Sequence, residues 1–263
     1  MKRISLITAL LLNHSARALI GAAMLLVTLL VAESAKAADL VTIVAFGDST
    51  TAVRDSTKIY AAILQDELRN VRIINAGVSG NTTDMARKRF EKDVLTHQPQ
   101  IAIIQFGIND AAIDVWKQPP ASVPRVSLPD YRQNLTSMVQ ALKAQRARVV
   151  LMTSNPIHWS DVTRKLYAKP PYLPEDVEGF NVILRHYAQA VREIAKAEGV
   201  GLVDVFAAFK AREAEPDRKP GSLARDGMHP DDEGHRLIAD LLIKHLAAVA
   251  LPPMHAAELQ LPD

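Results

Sequence analysis

The 263-residue chain contains no cysteine. That excludes disulfides, thiolate metal sites and a cysteine nucleophile, and it leaves stability to the core alone. No segment is of low complexity, and nothing repeats at solenoid periods. No apolar run reaches the roughly 20 residues that a membrane-spanning helix wants. His-Glu-x-x-His, the phosphate-binding G-x-x-x-x-G-K-S/T and the nucleophile elbow G-x-S-x-G are all missing. What is present is a globular composition, 48% hydrophobic and 23% charged, long enough for one α/β domain with a well-buried core.

The first 37 residues read as an export signal. Lys2 and Arg3 give a positive start, Ala18 to Ala32 form an uncharged, mainly apolar run of 15 residues, and Ala35-Lys36-Ala37 has the A-x-A cleavage pattern. The expected mature chain is 38–263, beginning at Ala38, with an uncleaved N-terminal anchor as the alternative. Residues 1–37 carry Lys2, Arg3, Arg17 and Lys36 against Glu33, so the whole chain at +2 leaves the mature part at −1. The basic character comes from the leader and gives no argument for nucleic acid or membrane binding.

Short, nearly all-apolar runs alternate with helical patterns. The strand candidates are Val41–Phe46, Val71–Asn75, Ile101–Phe106, Arg148–Thr153 and Gly201–Val205, as central parallel strands covered on both faces require. Helices are expected over Lys58–Arg69, Thr82–Thr96, Asp130–Gln145, Val177–Glu198 and Asp231–Ala250, with Gly199 as a C-terminal stop. This alternation predicts a three-layer α/β/α sandwich on a five-stranded parallel sheet, with flavodoxin-like order 2-1-3-4-5. Sites in such sheets form outside the carboxyl ends of the strands. Two long proline-bearing loops, 111–129 with Trp116 and 154–176 with His158 and Trp159, leave from those ends and are expected to overhang the site.

Ser49 follows the first strand in Gly47-Asp48-Ser49-Thr50, and Asp226-Gly227-Met228-His229-Pro230 lies near the C-terminus. A serine needs a base within hydrogen-bond reach, and a three-residue offset in a turn lets Asp226 orient His229 while His229 takes the serine proton. His229 before Pro230 also looks like a helix entry. Acyl transfer further needs donors for the oxyanion. The Asn109 amide and the backbone N–H groups of Gly80 and Ser49 are the candidates. A helix cap, an Asx turn and a loop glycine are the structural alternatives for Ser49, Asn109 and Gly80 singly; taken together the residues favour catalysis.

These motifs resemble the SGNH hydrolases, the GDSL-type esterases and lipases. The motif serine matches Ser49, the second-block glycine Gly80, the third-block Gly-x-Asn-Asp Gly107 to Asp110, and the fifth-block Asp-x-x-His Asp226 to His229. The resemblance implies the SGNH hydrolase fold, a Ser49-His229-Asp226 triad, an oxyanion hole of Ser49, Gly80 and Asn109, and no metal or organic cofactor. The sequence departs from the family pattern at Val53, where a glycine is common, and at Thr50. Thr50 is shared with rhamnogalacturonan acetylesterases, but Ile108 stands where those carry histidine.

The expected function is an exported serine esterase, periplasmic or secreted, that releases short acyl groups, acetyl first, from small-molecule or glycan esters. Substrate contacts are expected from Arg54, Trp116, His158 and Trp159, with Arg54, Arg125, Arg164 and Lys165 as cations for an acidic substrate. The alternatives are a lysophospholipase or thioesterase-like hydrolase, an acyltransferase, and a carbohydrate-binding protein without catalysis. A metal site from His229, His235, Asp226, Asp231 and Asp232 has no recognisable ligand spacing, and none is expected.

Overall fold

The computed structural model describes residues 40–54 and 56–248. The expected leader, residues 1–37, lies outside them, as do the last two residues of the expected final helix. Five strands, β1 Val41–Gly47, β2 Val71–Gly77, β3 Ile101–Gln105, β4 Arg148–Met152 and β5 Gly201–Val203, form one sheet in the order β2-β1-β3-β4-β5. All pairings are parallel. The order is the expected one. The chain moves outward from β1 to β2 and then returns to place β3 on the other side of β1. The crevice at this switch point opens at the carboxyl ends of β1 and β3, the strands that lead into Ser49 and Asn109.

The helices are α1 Tyr60–Glu67, α2 Thr83–Asp93, α3 Ile108–Ala111, α4 Leu128–Ala144, α5 Asp161–Tyr167, α6 Asn181–Glu198, α7 Val205–Glu213 and α8 Asp232–Ala248. Successive strand residues point to opposite faces and feed two cores. Val44 and Phe46 pack with residues of α2, α4 and α6, including Phe90, Leu135 and Val191. Ile43 and Ala45 pack with α1, α7 and α8 through Leu64, Phe209 and Leu242. Burial on both faces is why the strands read as unbroken apolar runs.

Element ends differ from expectation for local reasons. The fifth strand stops at Val203 because Asp204 caps a helix: its Oδ1 accepts from the Ala207 amide at 3.1 Å, and Val205 opens α7. The segment before Asn181 is a turn in which the Leu173 amide donates to the Gly179 carbonyl at 3.1 Å, so α6 starts later than Val177. The last helix starts at Asp232 rather than at Pro230. Asp231 precedes it, and its Oδ1 accepts from the Gly234 amide at 2.9 Å. Helices α3, α5 and α7 were not expected; α5 lies inside the proline-rich loop, where Ser160 and Thr163 form a capping box. Gly199 ends α6 with φ of 64°, as expected.

Candidate active site

β1 runs out at Gly47 and the chain turns at once. The Asp48 carbonyl accepts from the amides of Thr51 at 3.2 Å and Ala52 at 3.0 Å, and the Asp48 carboxyl accepts from the Thr50 amide at 2.9 Å. Ser49 rides on this turn at the sheet edge. Its Oγ lies 2.9 Å from Nε2 of His229, and Nδ1 of His229 lies 2.7 Å from Oδ2 of Asp226. Oδ1 of Asp226 accepts from the amides of Met228 at 3.0 Å and His229 at 2.8 Å. Burial pushes the Asp226 carboxyl up, but hydrogen bonds from the His229 ring and amide outweigh it and hold the group well below the usual carboxylate range. An ionised Asp226 keeps the imidazole proton on Nδ1 and turns the Nε2 lone pair toward Ser49. This arrangement can accept the serine proton during attack on a carbonyl.

The 226–229 turn is gripped by the loop after β4. Ser160 Oγ donates to the Asp226 carbonyl at 2.7 Å, the His158 amide to that of Gly227 at 2.7 Å, and Asn155 Nδ2 to that of Met228 at 2.8 Å. Three consecutive carbonyls are thereby fixed beside the catalytic side chains. Gly227 has φ of +79°, and a Cβ there would lie 2.5 Å from the His158 carbonyl oxygen, so conformation and space both demand glycine.

Donors for an oxyanion surround the same spot. Among the described residues, neither the Ser49 amide nor the Gly80 amide donates to a protein acceptor. Gly80 has φ of +77° with nothing within 4 Å of where a Cβ would sit. Its turn is held by Arg89, which donates to Asn81 Oδ1 at 2.7 Å and to the carbonyls of Ala76 at 2.8 Å and Gly47 at 2.9 Å. One side chain thus ties the ends of β1 and β2 to the Gly80 turn. Asn109, on α3, donates from Nδ2 to Asp48 Oδ2 at 3.3 Å and accepts at Oδ1 from Arg125 at 3.1 Å.

Asp110 braces this corner from below. Its Oδ1 accepts from the Thr83 amide at 2.8 Å and hydroxyl at 2.6 Å, which joins α3 to the start of α2, while Oδ2 is buried without a hydrogen-bond partner. Burial lifts its pKa to about 7 against the pull of Thr83. The folded state therefore holds this proton where the unfolded chain has lost it. The stabilisation is complete below the unfolded value near 3.8 and is lost as pH rises toward 7. Asp110→Asn is expected to gain stability relative to wild type between pH 5 and 8, read as a urea midpoint difference that moves in its favour. A pH-independent difference would contradict the raised pKa.

A cavity of about 440 Å³ opens over Ser49. Its polar lining comes from Ser49, Arg54, Ser79, Asn109, Arg125 and His229, and its apolar lining from Ile108, Ile157, Val162, Leu166, Phe180 and Met228. Arg54 lies where expected, with Nη2 3.8 Å from Asp226 Oδ2. Trp116, His158 and Trp159 do not line the cavity. Trp116 is exposed beside Lys117, 5.6 Å from its ring. The His158 ring is buried with Nε2 2.9 Å from Glu213 Oε2, close enough for an ion pair but not aligned as a hydrogen bond. The Trp159 indole N–H donates to the Asp176 carbonyl at 2.9 Å, and its ring meets Phe180 edge-on. Trp159 therefore supports the wall from behind through Phe180.

The two long loops do reach the site, but through other residues. Loop 154–176 supplies Ile157, Val162, Leu166 and Tyr167, and loop 111–129 supplies Ala112 and Arg125. Of the other basic candidates, Arg164 stacks over Trp159 and donates to the Pro174 carbonyl at 3.0 Å. His235 is buried, and its Nδ1 accepts from the Tyr60 amide at 3.3 Å; burial lowers its pKa to about 4. Among the described residues no cluster of three His, Asp or Glu is placed to hold a metal ion.

Comparison with known proteins agrees with this geometry. The model of the GDSL-like lipase/acylhydrolase family matches residues 45–237. A Bacillus subtilis (strain 168) lipoprotein, YqeF, is 32% identical over 74% of this chain and 85% of its own length. The acetylxylan esterase of Geobacillus stearothermophilus is 29% identical over 67% of this chain and 72% of its own. The crystal structure of Axe2, an acetylxylan esterase from that species, superposes with a TM-score of 0.60 at 25% identity, covering 78% of this chain and 93% of that one.

Proposed function

Because the chain belongs to the GDSL-like lipase/acylhydrolase family and is an acyl ester hydrolase, we propose that it works as a serine esterase through Ser49, His229 and Asp226. Ser49 Oγ attacks the ester carbonyl as His229 Nε2 takes its proton. His229 then gives that proton to the leaving alcohol, and an acyl-enzyme remains on Ser49. Water, deprotonated by the same imidazole, releases the acid and restores the serine. The Ser49 and Gly80 amides and Asn109 Nδ2 receive the oxyanion in both halves. The observation that carries this reading is the continuous contact chain of 2.9 Å and 2.7 Å from Ser49 Oγ to Asp226.

We assign the acyl group as short, acetyl first, and the alcohol as carbohydrate. The similarity to a protein named as an acetylxylan esterase supports this, and Arg54 offers a hydrogen-bonding group at the cavity for a polar alcohol. The apolar walls favour a second reading, in which the cavity takes a longer acyl chain along Val162, Leu166 and Met228. We further propose export by the leader, with cleavage before Ala38. The relative named as a lipoprotein is consistent with this, and no described helix is long and apolar enough to cross a membrane.

Hydrolysis of p-nitrophenyl acetate, butyrate and octanoate by residues 38–263 tests the assignment. Acetate preference that vanishes with Ser49→Ala supports the short-acyl reading. Octanoate preference transfers it to the longer chain. In that case Val162→Asp with Leu166→Asp, both on exposed parts of the wall, should cut octanoate turnover roughly 10- to 100-fold and spare acetate, since each lost apolar contact is worth about 1–3 kcal/mol. No turnover of any ester, by protein shown to be folded, would contradict the esterase proposal.

A further inference from the structure

Arg125 lies in the cavity lining, but its guanidinium is largely committed to protein partners. Nε donates to both oxygens of Asp114 at 3.1 Å each, Nη2 donates to Oδ1 at 2.8 Å, and Nη1 donates to Oδ1 of Asn109 at 3.1 Å. The Asp114 side chain is only 3% exposed and also pairs with Lys117 Nζ at 2.7 Å. The backbone is fixed at the same place. The Arg125 amide donates to the Ala112 carbonyl at 3.0 Å, and the Val126 amide donates to that of Asp110 at 3.2 Å. A planar guanidinium held by a buried carboxylate at one end is a rigid probe at the other.

A carboxamide can be turned over with little change in shape, so its neighbours decide which end faces the substrate. Asn109 has an acceptor, Asp48 Oδ2, on its nitrogen and a cation on its oxygen. Turning it over would set oxygen against carboxyl and N–H against guanidinium. In the observed orientation one Nδ2 hydrogen goes to Asp48 and the second remains for an oxyanion. The cation on Oδ1 also polarises the amide, which makes that second N–H a stronger donor as negative charge develops.

Resting on the serine esterase reading above, we infer that Arg125, anchored by Asp114, is a positioning residue that fixes and polarises the Asn109 amide of the oxyanion hole. It acts through Asn109, and its effect belongs to the transition state. With neutral p-nitrophenyl acetate, Arg125→Met should lower kcat roughly 10- to 100-fold, the scale of one charge-assisted hydrogen bond. KM should change far less. Arg125→Lys keeps the charge but cannot span Asp114 and Asn109 together, so it should show an intermediate loss while guarding against a folding defect in the methionine variant.

The deciding experiment is a double-mutant cycle of Arg125→Met with Asn109→Ala, with thermal midpoints recorded for each variant. The expected result is that Arg125→Met costs almost nothing further once Asn109 is gone. Costs that multiply, or an Arg125→Met effect confined to KM, would overturn the inference and leave the esterase reading intact. Wild-type kcat in Asn109→Ala would overturn the oxyanion assignment itself, and this inference with it.

Discussion

Ser49→Ala is expected to lower kcat for an activated ester by a factor on the order of 10⁶, because triad members act as a unit and removing one removes the route. The substitution deletes a single oxygen from a residue that is 7% exposed, and that oxygen has His229 Nε2 as its one side-chain partner, at 2.9 Å. Stability should hardly change, so the loss will be chemical. His229→Ala should cost about as much, and the double variant little more than either. Burst and steady-state kinetics on p-nitrophenyl acetate measure all three. Independent, multiplying losses would mean that the two residues do not share one proton transfer.

Asn109→Ala has the next largest expected effect, a loss in kcat of roughly 10²–10³, the scale for one oxyanion donor. The serine, its base and the two backbone donors all remain, so activity should fall without vanishing. KM should move little, because the bond strengthens as the carbonyl oxygen gains charge. A tetrahedral boronic acid inhibitor should lose affinity by a comparable factor, and a planar ester analogue should not. Equal weakening of both would mean that Asn109 binds the ground state instead.

Much of this site could be read in the sequence because its parts sit at strand ends. Parallel strands covered on both faces appear as unbroken apolar runs, so Ser49 and Asn109 could be placed at the carboxyl edge without coordinates. Asp226 and His229 were legible as a pair because three residues in a turn bring their side chains together at 2.7 Å. The apolar wall was not legible. Its residues, among them Ile108, Ile157, Val162, Phe180 and Met228, come from segments far apart in the chain, and each segment looks polar or irregular by itself. Helix α5 reads Asp-Val-Thr-Arg-Lys-Leu-Tyr, which hides Val162 and Leu166 among charges even though their i,i+4 spacing puts them on one side.

Residue type was a poor guide to substrate contact for the same reason. Trp159 and His158 are the residues one would choose to face a sugar, yet one packs on Phe180 and the other lies beside Glu213. Only the three-dimensional course of the loop decides that. Arg125 gives the opposite case. Among scattered basic residues it has no distinguishing sequence feature, and its role depends on Asp114 eleven residues away and on Asn109 at 3.1 Å.

Covalent trapping tests the central claim most directly. The chain from Ala38 onward is treated with an aryl fluorophosphonate, followed by intact mass measurement and peptide mapping. The account predicts one adduct per chain, located on Ser49, with activity falling in step with labelling and no adduct on Ser49→Ala. Stoichiometric labelling of another residue with loss of activity, or full labelling of Ser49 with activity retained, would contradict it.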